Sequence, residues 1–209
     1  MTCSNRPGAL EVYTYMDMQA MKQILQGEGI VGAGGAGFPT YAKLDERAKV
    51  ILMNCAECEP LLKLHRQLLE QHAGKILETF DRIARVVGAH EAVIGIKKEY
   101  KATLRAIDRY IDAYPDMRVQ LLAGAYPMGD EVVLVYEATG KVIRPGGLPI
   151  EEGVAVFNVE TVYNIYRAVE HHVPVQDKLV TVVGEVEHPL TVRVPIGASL
   201  KGVVAYAGA

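Results

Sequence analysis

Short apolar runs alternate with amphipathic stretches along most of this chain. Four runs are rich in β-forming residues and bounded by polar or turn residues, which predicts buried strands at Lys49–Asn54, Ala92–Lys97, Arg118–Ala123 and Gly153–Asn158. Apolar residues at three- and four-residue steps predict helices at Met16–Gly29, Pro60–Gly88, Tyr100–Tyr114, Gly129–Gly140 and Val159–His172. We expect a break near His72–Gly74 and an end at Pro115. This alternation predicts an α/β fold, a mainly parallel sheet flanked by helices.

The chain changes character from Lys178 onward. Two β-rich runs and a short helical pattern follow one another, at Val180–Val186, Thr191–Pro195 and Ser199–Ala207. The pattern is similar to the start of a small β-grasp module, but it stops before such a sheet could close, which would leave an unpaired edge. We therefore expect one α/β domain over residues 1–175 and the beginning of a β-grasp module over 176–209, in a fragment of a longer protein.

Composition narrows the classes of partner and compartment. The 209 residues are 50% hydrophobic and 22% charged, which suits one sizeable globular core. A net charge of −3 without a block of like charges argues against nucleic acid as a partner. No apolar run is long enough to insert into a membrane, and the N-terminus has no apolar signal core, so we expect a cytoplasmic chain. Cys3, Cys55 and Cys58 are too few for a disulfide framework.

The segment GAGGAGFPTYAKL, Gly32–Leu44, is the strongest chemical signal in the chain. Dense glycine allows tight turns and a close backbone approach to a ligand, and Lys43 follows nearby. The pattern also satisfies G-x-G-x-x-G, but a dinucleotide fingerprint needs a preceding strand, whereas the preceding residues are helical. A glycine-rich turn that packs a helix against the sheet is the plain alternative. We favour a backbone nest that binds a phosphate or a phosphorylated cofactor.

Four segments in order resemble one family of flavoproteins. They are GxGGAGFPTxxK, N-x-x-E-x-E-P, GAYPxGDE and F-N-V-E-T, and they cover Gly32 to Thr161. Together they resemble the FMN-binding domain of the NADH-binding flavoprotein subunit of respiratory complex I. They are more similar to RnfC and its soluble relatives, such as the cobalamin reductase of propanediol microcompartments. The tail resembles the SLBB β-grasp module of the same family.

This resemblance implies a set of cofactor-binding residues. The glycine loop would wrap FMN, Lys43 would pair with its phosphate, and two asparagines would hydrogen-bond the flavin or its ribityl chain, with a threonine at the start of the following helix. Acidic residues would lie beside the nicotinamide and the flavin. The implied residues are Gly32, Gly34, Gly35, Gly37, Phe38, Lys43, Asn54, Glu57, Glu59, Asp130, Glu131, Asn158 and Thr161. Asp130 and Glu131 also follow Gly129 at a helix start, where acids stabilise the helix dipole without any ligand.

The chain departs from the family pattern at three positions. Complex I subunits have an aspartate where this chain has Ala56, so one polar flavin contact is lost or replaced. Glu46 and Leu148 occupy the positions of two aromatic residues that sandwich adenine. Because stacking on a ring is worth about 0.5–1.5 kcal/mol per contact, this weakens the expectation for NADH more than that for FMN. Arg144 remains available for a dinucleotide phosphate.

The pair Cys55-Ala-Glu-Cys58 also suggests a redox dithiol or a metal site. A metal site needs four ligands, and only His65 and His72 are near in sequence. We expect ordinary cysteines lining the loop, and no bound metal. The chain has too few cysteines for a four-cysteine iron–sulfur cluster, and the resemblance places 4Fe–4S clusters only in a region beyond this sequence.

The resulting hypothesis is an electron-transfer domain in which FMN moves electrons between NAD(H), as substrate, and iron–sulfur centres. Its partners would be other electron-transfer subunits or iron–sulfur proteins, which could bring the chain to the periphery of a membrane complex. No side chain needs to act as an acid or a base, because the cofactor carries the chemistry. The competing hypothesis is a scaffold that docks partner subunits without productive NADH binding.

Overall fold

A four-stranded parallel sheet forms the centre of the protein, with strand order β3-β2-β1-β4. The structure is a computed structural model that describes residues 16–209; Cys3 and the segment weighed above as a signal sequence lie outside this range. The elements are α1 (Met18–Gly27), β1 (Val50–Cys55), α2 (Leu64–Val87), β2 (Glu91–Lys97), α3 (Lys101–Asp108), β3 (Met117–Leu122), α4 (Glu131–Thr139), β4 (Val154–Asn158) and α5 (Val159–His171). The predicted α/β class is confirmed.

Alternate residues of the strands face two separate apolar cores. On β1, Ile51 and Met53 pack with residues of α1, α2, α3 and α5, whereas Leu52 packs with residues of α4 on the other face. Side chains alternate across a strand, so a continuous apolar run is what a sheet covered on both faces requires. Unbroken apolar runs in the sequence therefore predict these strands.

Strand order changes direction between β1 and β4. The chain runs outward from β1 to β2 and β3, then returns to pair β4 with the other side of β1. Such a switch opens a crevice at the carboxyl ends of the two strands. Asn54 and Asn158 are register partners at that edge, so the topology itself brings two of the predicted residues together.

Helix α2 breaks where the sequence predicted, but α3 is shorter than predicted. His72 has non-helical torsion angles of φ −130° and ψ 21° inside α2. The expected helix Tyr100–Tyr114 is a correction: α3 ends at Asp108, and a 3₁₀ turn covers Ile111–Ala113. The turn places the Tyr110 ring within 3.1 Å of the position a Cβ on Gly74 would take, so packing against the α2 break overrides the helical periodicity.

The tail forms an antiparallel hairpin, β5 (Asp177–Val182) and β6 (Leu190–Pro195), followed by α6 (Leu200–Tyr206). These two strands do not join the four-stranded sheet. The predicted first strand, Val180–Val186, is corrected: β5 begins at Asp177, which is bound by Arg167 of α5, and the chain turns at Gly184 with φ 107°. Among residues 16–209, no helix is long and apolar enough to cross a membrane.

Candidate functional site

The glycine loop is a closed loop with a bare backbone at its tip. A bridge between Val31 and Pro39 and a 2.8 Å bond from the Gly32 N–H to the Phe38 carbonyl close its base. Gly34 and Gly37 have φ of 85° and 69°, a region that side chains rarely enter. Within the described residues, the N–H groups of positions 34–37 donate no hydrogen bond of ordinary geometry. The tip therefore presents several free donors at once.

Two residues of the F-N-V-E-T segment hold this loop in place. Asn158 Nδ2 donates to the Ala33 carbonyl at 2.8 Å, and the Ala33 N–H donates to Thr161 Oγ1 at 2.9 Å. Thr161 is buried in the first turn of α5. Both side chains thus hold the glycine loop in position, and each already uses part of its hydrogen-bonding capacity within the protein.

The loop forms one wall of a cleft of about 610 Å³ at the carboxyl edge of β1 and β4. All the predicted residues except Asp130 line it: Gly32, Gly34, Gly35, Gly37, Phe38, Lys43, Asn54, Glu57, Glu59, Glu131, Asn158 and Thr161. Segments far apart in sequence therefore converge on one concave surface, as a small-molecule site requires.

Asp130 and Glu131 have different roles: the first caps a helix, and the second lines the cleft. Asp130 is the N-cap of α4, and its Oδ1 accepts from the N–H groups of Val132 and Val133 at 3.0 and 3.2 Å. Such caps stabilise helices by about 1 kcal/mol. Glu131 points to the cleft, where its Oε1 lies 3.7 Å from Lys43 Nζ.

Lys43 is fixed at the edge of the sheet beside the glycine loop. Its Nζ donates to the Val156 carbonyl of β4 at 2.8 Å, so it satisfies a free acceptor on an edge strand. The side chain is 27% exposed. An ammonium held between a carbonyl and Glu131, next to free N–H groups, is well placed to meet an anion.

Asn54 ties the end of β1 to the Gly129 turn. Its Nδ2 donates to the Gly129 carbonyl at 2.9 Å, and its Oδ1 accepts from the Ala56 N–H at 3.0 Å. A Cβ on Gly129 would lie 1.9 Å from the Ala56 carbonyl oxygen. The absence of a side chain at Gly129 is what lets the two backbones approach.

Glu57 is buried and already bonded by the protein. Its Oε1 accepts from the His65 N–H at 3.0 Å, which caps the start of α2, and its Oε2 lies 3.2 Å from Arg66 Nε. Lys97 Nζ donates to the Glu57 carbonyl at 2.7 Å. Glu57 therefore shapes the cleft wall, whereas Glu59 is exposed at its rim.

His65 lines the cleft with an unpartnered polar atom. Its Nδ1 is fully buried and has no hydrogen-bond partner in the described part of the chain. Burial lowers the pKa of the ring to about 4, so the imidazole is neutral near pH 7. Sequence reasoning considered His65 only as a metal ligand. Its position in the cleft follows from the bond between Glu57 and the His65 N–H, which no local pattern reveals.

Glu160, Lys178 and Thr181 also line the cleft and were not predicted. Glu160 is 2% exposed and forms an ion pair with Lys178. The sequence could have indicated Glu160 as a site residue, because it lies between Asn158 and Thr161 in the F-N-V-E-T segment. Lys178 and Thr181 come from β5, whose position against α5 the sequence does not reveal.

Cys55, Cys58 and the positions that depart from the family pattern differ in their relation to the cleft. Cys55 is buried, which raises the pKa of its thiol, and Cys58 lines the cleft. No cluster of three or more His, Cys, Asp or Glu side chains suited to a metal occurs within residues 16–209. Glu46, Leu148 and Arg144 do not line the cleft; Leu148 is 59% exposed, and Arg144 pairs with Glu151 at 3.0 Å.

Comparisons with known proteins identify the family of this chain. Residues 25–167 match the family model of the Nuo51 FMN-binding domain. The cobalamin reductase PduS of Salmonella typhimurium is 45% identical over 90% of this chain and 41% of its own length. One component of the Na(+)-translocating ferredoxin:NAD(+) oxidoreductase complex of Acetobacterium woodii is 31% identical over 92% of this chain and 45% of its own length. This chain thus spans less than half of each relative.

A solved structure shows the same fold. The crystal structure of an NAD+-reducing NiFe hydrogenase in the air-oxidized state matches with a TM-score of 0.80 and 28% identity, over 94% of this chain and 40% of that one.

Proposed function

This chain belongs to the Nuo51 FMN-binding domain family, and we propose that its cleft binds FMN and serves electron transfer between NAD(H) and iron–sulfur centres supplied outside this sequence. One observation carries the proposal. The free N–H groups of the glycine loop and the Lys43 ammonium line the same cleft, at the switch point of a parallel sheet.

Both the hydrogen-bond donors of the cleft and its position in the fold suit a cofactor with a phosphate group and an aromatic ring system. The glycine loop and Lys43 would hold the phosphate, and the φ of 85° at Gly34, which residues with a side chain rarely adopt, favours glycine in this cradle. Asn54 and Asn158 would orient the cofactor from the strand ends.

Bound FMN would accept a hydride from a nicotinamide and release electrons singly to metal centres. The protein residues bind and orient; none is required to move a proton. Glu59 and Glu131 face the open part of the cleft and would contact hydroxyl or amide groups of the dinucleotide. The relatives named above include a component of a ferredoxin:NAD(+) oxidoreductase complex, which supports NAD(H) as substrate and other electron-transfer subunits as partners.

The phosphate contact can be tested with Lys43→Ala and a matched lysine. Lys49→Ala removes an exposed lysine whose Nζ donates to the Glu46 carbonyl, outside the cleft. We expect wild type and Lys49→Ala to bind FMN more tightly than riboflavin, which lacks the phosphate. In Lys43→Ala that preference should fall about tenfold, which corresponds to 1.4 kcal/mol. Flavin titrations measure it; an unchanged preference, or no flavin binding by wild type, contradicts the proposal.

A second candidate function is a scaffold that binds FMN without productive NADH binding. Leu148 is exposed where the family has an adenine-stacking aromatic, and Glu46 is exposed at the other such position. Anaerobic addition of NADH to the FMN-loaded chain separates the two functions. Bleaching of the flavin absorbance supports the oxidoreductase, whereas an unchanged spectrum supports the scaffold.

We also propose that residues 1–175 and 176–209 are two units of a longer protein, the second being the start of a β-grasp module. The separate pairing of β5 with β6 supports this division.

A further inference from the structure

The hairpin contributes a cation to the cofactor cleft. Lys178 on β5 forms an ion pair with Glu160, in the first turn of α5, and both side chains line the cleft. The Glu160 side chain is 3% exposed, whereas that of Lys178 is 44% exposed. A nearly buried carboxylate of α5 is therefore paired with a more exposed cation from the two-stranded sheet.

Further ion pairs fix β5 in the position that this contact needs. Arg167, two turns along α5 from Glu160, donates to both oxygens of Asp177 at 2.9 and 3.0 Å. Arg193 of β6 adds a bond to Asp177 at 2.9 Å. The Val175 N–H donates to the Glu28 carbonyl at 3.0 Å just before β5. Lys178 is thus presented to Glu160 by an anchored strand.

The charges that line the cleft show why this cation matters. Four carboxylates line it, namely Glu57, Glu59, Glu131 and Glu160. Arg66 pairs with Glu57 and Lys43 with Glu131, while His65, beside Glu160, is neutral near pH 7. Among the described residues, Lys178 is the cation paired with Glu160. Without it the cleft would hold a further uncompensated negative charge.

We infer that Lys178 is a positioning residue of the FMN site, through which the hairpin sets both the affinity for the anionic cofactor and its reduction potential. The inference rests on the proposed function. An unpaired carboxylate in a poorly solvated wall repels the cofactor's phosphate, and it opposes the addition of electrons to the flavin. The second unit of the chain would thereby tune chemistry that takes place in the first.

Four variants separate charge from packing. Lys178→Met removes the cation, and Lys178→Arg keeps it. Glu160→Gln/Lys178→Met removes both charges. Lys201→Met, an exposed lysine of α6 outside the cleft, is the control with the same change in net charge. FMN dissociation constants and the midpoint potential of bound FMN are measured for each. Circular dichroism confirms folding.

We expect Lys178→Met to bind FMN about tenfold more weakly and to lower its midpoint potential, while Lys178→Arg, the double variant and Lys201→Met stay near wild type. If Lys178→Met fails to fold, Glu160→Gln alone should raise the potential, because it leaves Lys178 unopposed. Equal values for Lys178→Met and Lys201→Met overturn the inference, as does a double variant that behaves like Lys178→Met. Both results leave FMN binding by wild type intact; only a wild type without flavin defeats the proposed function itself.

Discussion

Several side chains that the sequence marks as ligands have their first partners in the backbone. Asn158 binds the carbonyl of Ala33 and Thr161 binds its N–H group, while Asn54 holds the Gly129 turn. These contacts place the free N–H groups of the glycine loop before any cofactor arrives. Preorganisation of this kind lowers the entropy that binding must overcome.

Gly129 is the residue at which this close packing can be tested most directly. Gly129→Ala would put a Cβ 1.9 Å from the Ala56 carbonyl oxygen and 2.8 Å from Cys58 Sγ, so the turn or the end of β1 must move. We expect a loss of about 2 kcal/mol or more in the free energy of unfolding, together with weaker FMN binding. Urea titration followed by circular dichroism measures the first effect, since the chain has no tryptophan.

Gly27→Ala is the matched control for this substitution. Gly27 lies at the end of α1, and apart from its own helix and its chain neighbours no atom of the described residues lies within 4 Å of the added Cβ. Its unfolding free energy should equal or exceed that of wild type, because alanine favours the helix. If Gly129→Ala proves as stable as Gly27→Ala, the close approach of the two backbones is not required.

At the scale of elements, Asp177 is the carboxylate that links β5 to both α5 and β6. Asp177 pairs with Arg167 and Arg193, and the hydrogen bond from Arg167 holds the pKa of Asp177 below its usual value. Asp177→Ala leaves two guanidinium groups without this partner, so we expect a loss of about 1–2 kcal/mol in unfolding free energy. Limited proteolysis should then cut the hairpin first.

The more exposed ion pair between Asp45 and Arg47 is the control for Asp177→Ala. Asp45→Ala breaks a pair with Arg47, whose side chain is 66% exposed, and should cost far less because solvent already screens the pair. Equal losses for Asp45→Ala and Asp177→Ala would mean that the hairpin is not anchored through Asp177.

Sequence reasoning succeeded where a local pattern determines the structure. The apolar strands, the break at His72 and the glycine loop all have signals within a few residues of themselves. It failed where a distant contact decides the outcome. Tyr110 leaves the helical path to pack on Gly74, and Lys178 enters the cleft because Arg167 captures the neighbouring Asp177. Neither partner is visible in the periodicity of its own segment.

At the scale of the whole molecule, the cleft is shared by the four-stranded sheet and the hairpin. The order β3-β2-β1-β4 opens the crevice between β1 and β4, and α5 leads from β4 to the hairpin that closes one side. Leu179 of β5 packs against the core formed with α2 and α5. A ligand bound in the cleft should therefore reduce local opening in both the α/β domain and the hairpin.

Hydrogen–deuterium exchange with and without FMN tests this sharing. We expect saturating FMN to slow amide exchange in the glycine loop, where the N–H groups of positions 34–37 have no partner among residues 16–209. We expect the same in β5, whose Lys178, Leu179 and Thr181 line the cleft. Helix α3 lies away from the cleft and is the internal control, so its exchange should change only as far as global stability does. Protection confined to the glycine loop would show that β5 is no wall of the occupied site, and protection in neither segment would place the cofactor elsewhere.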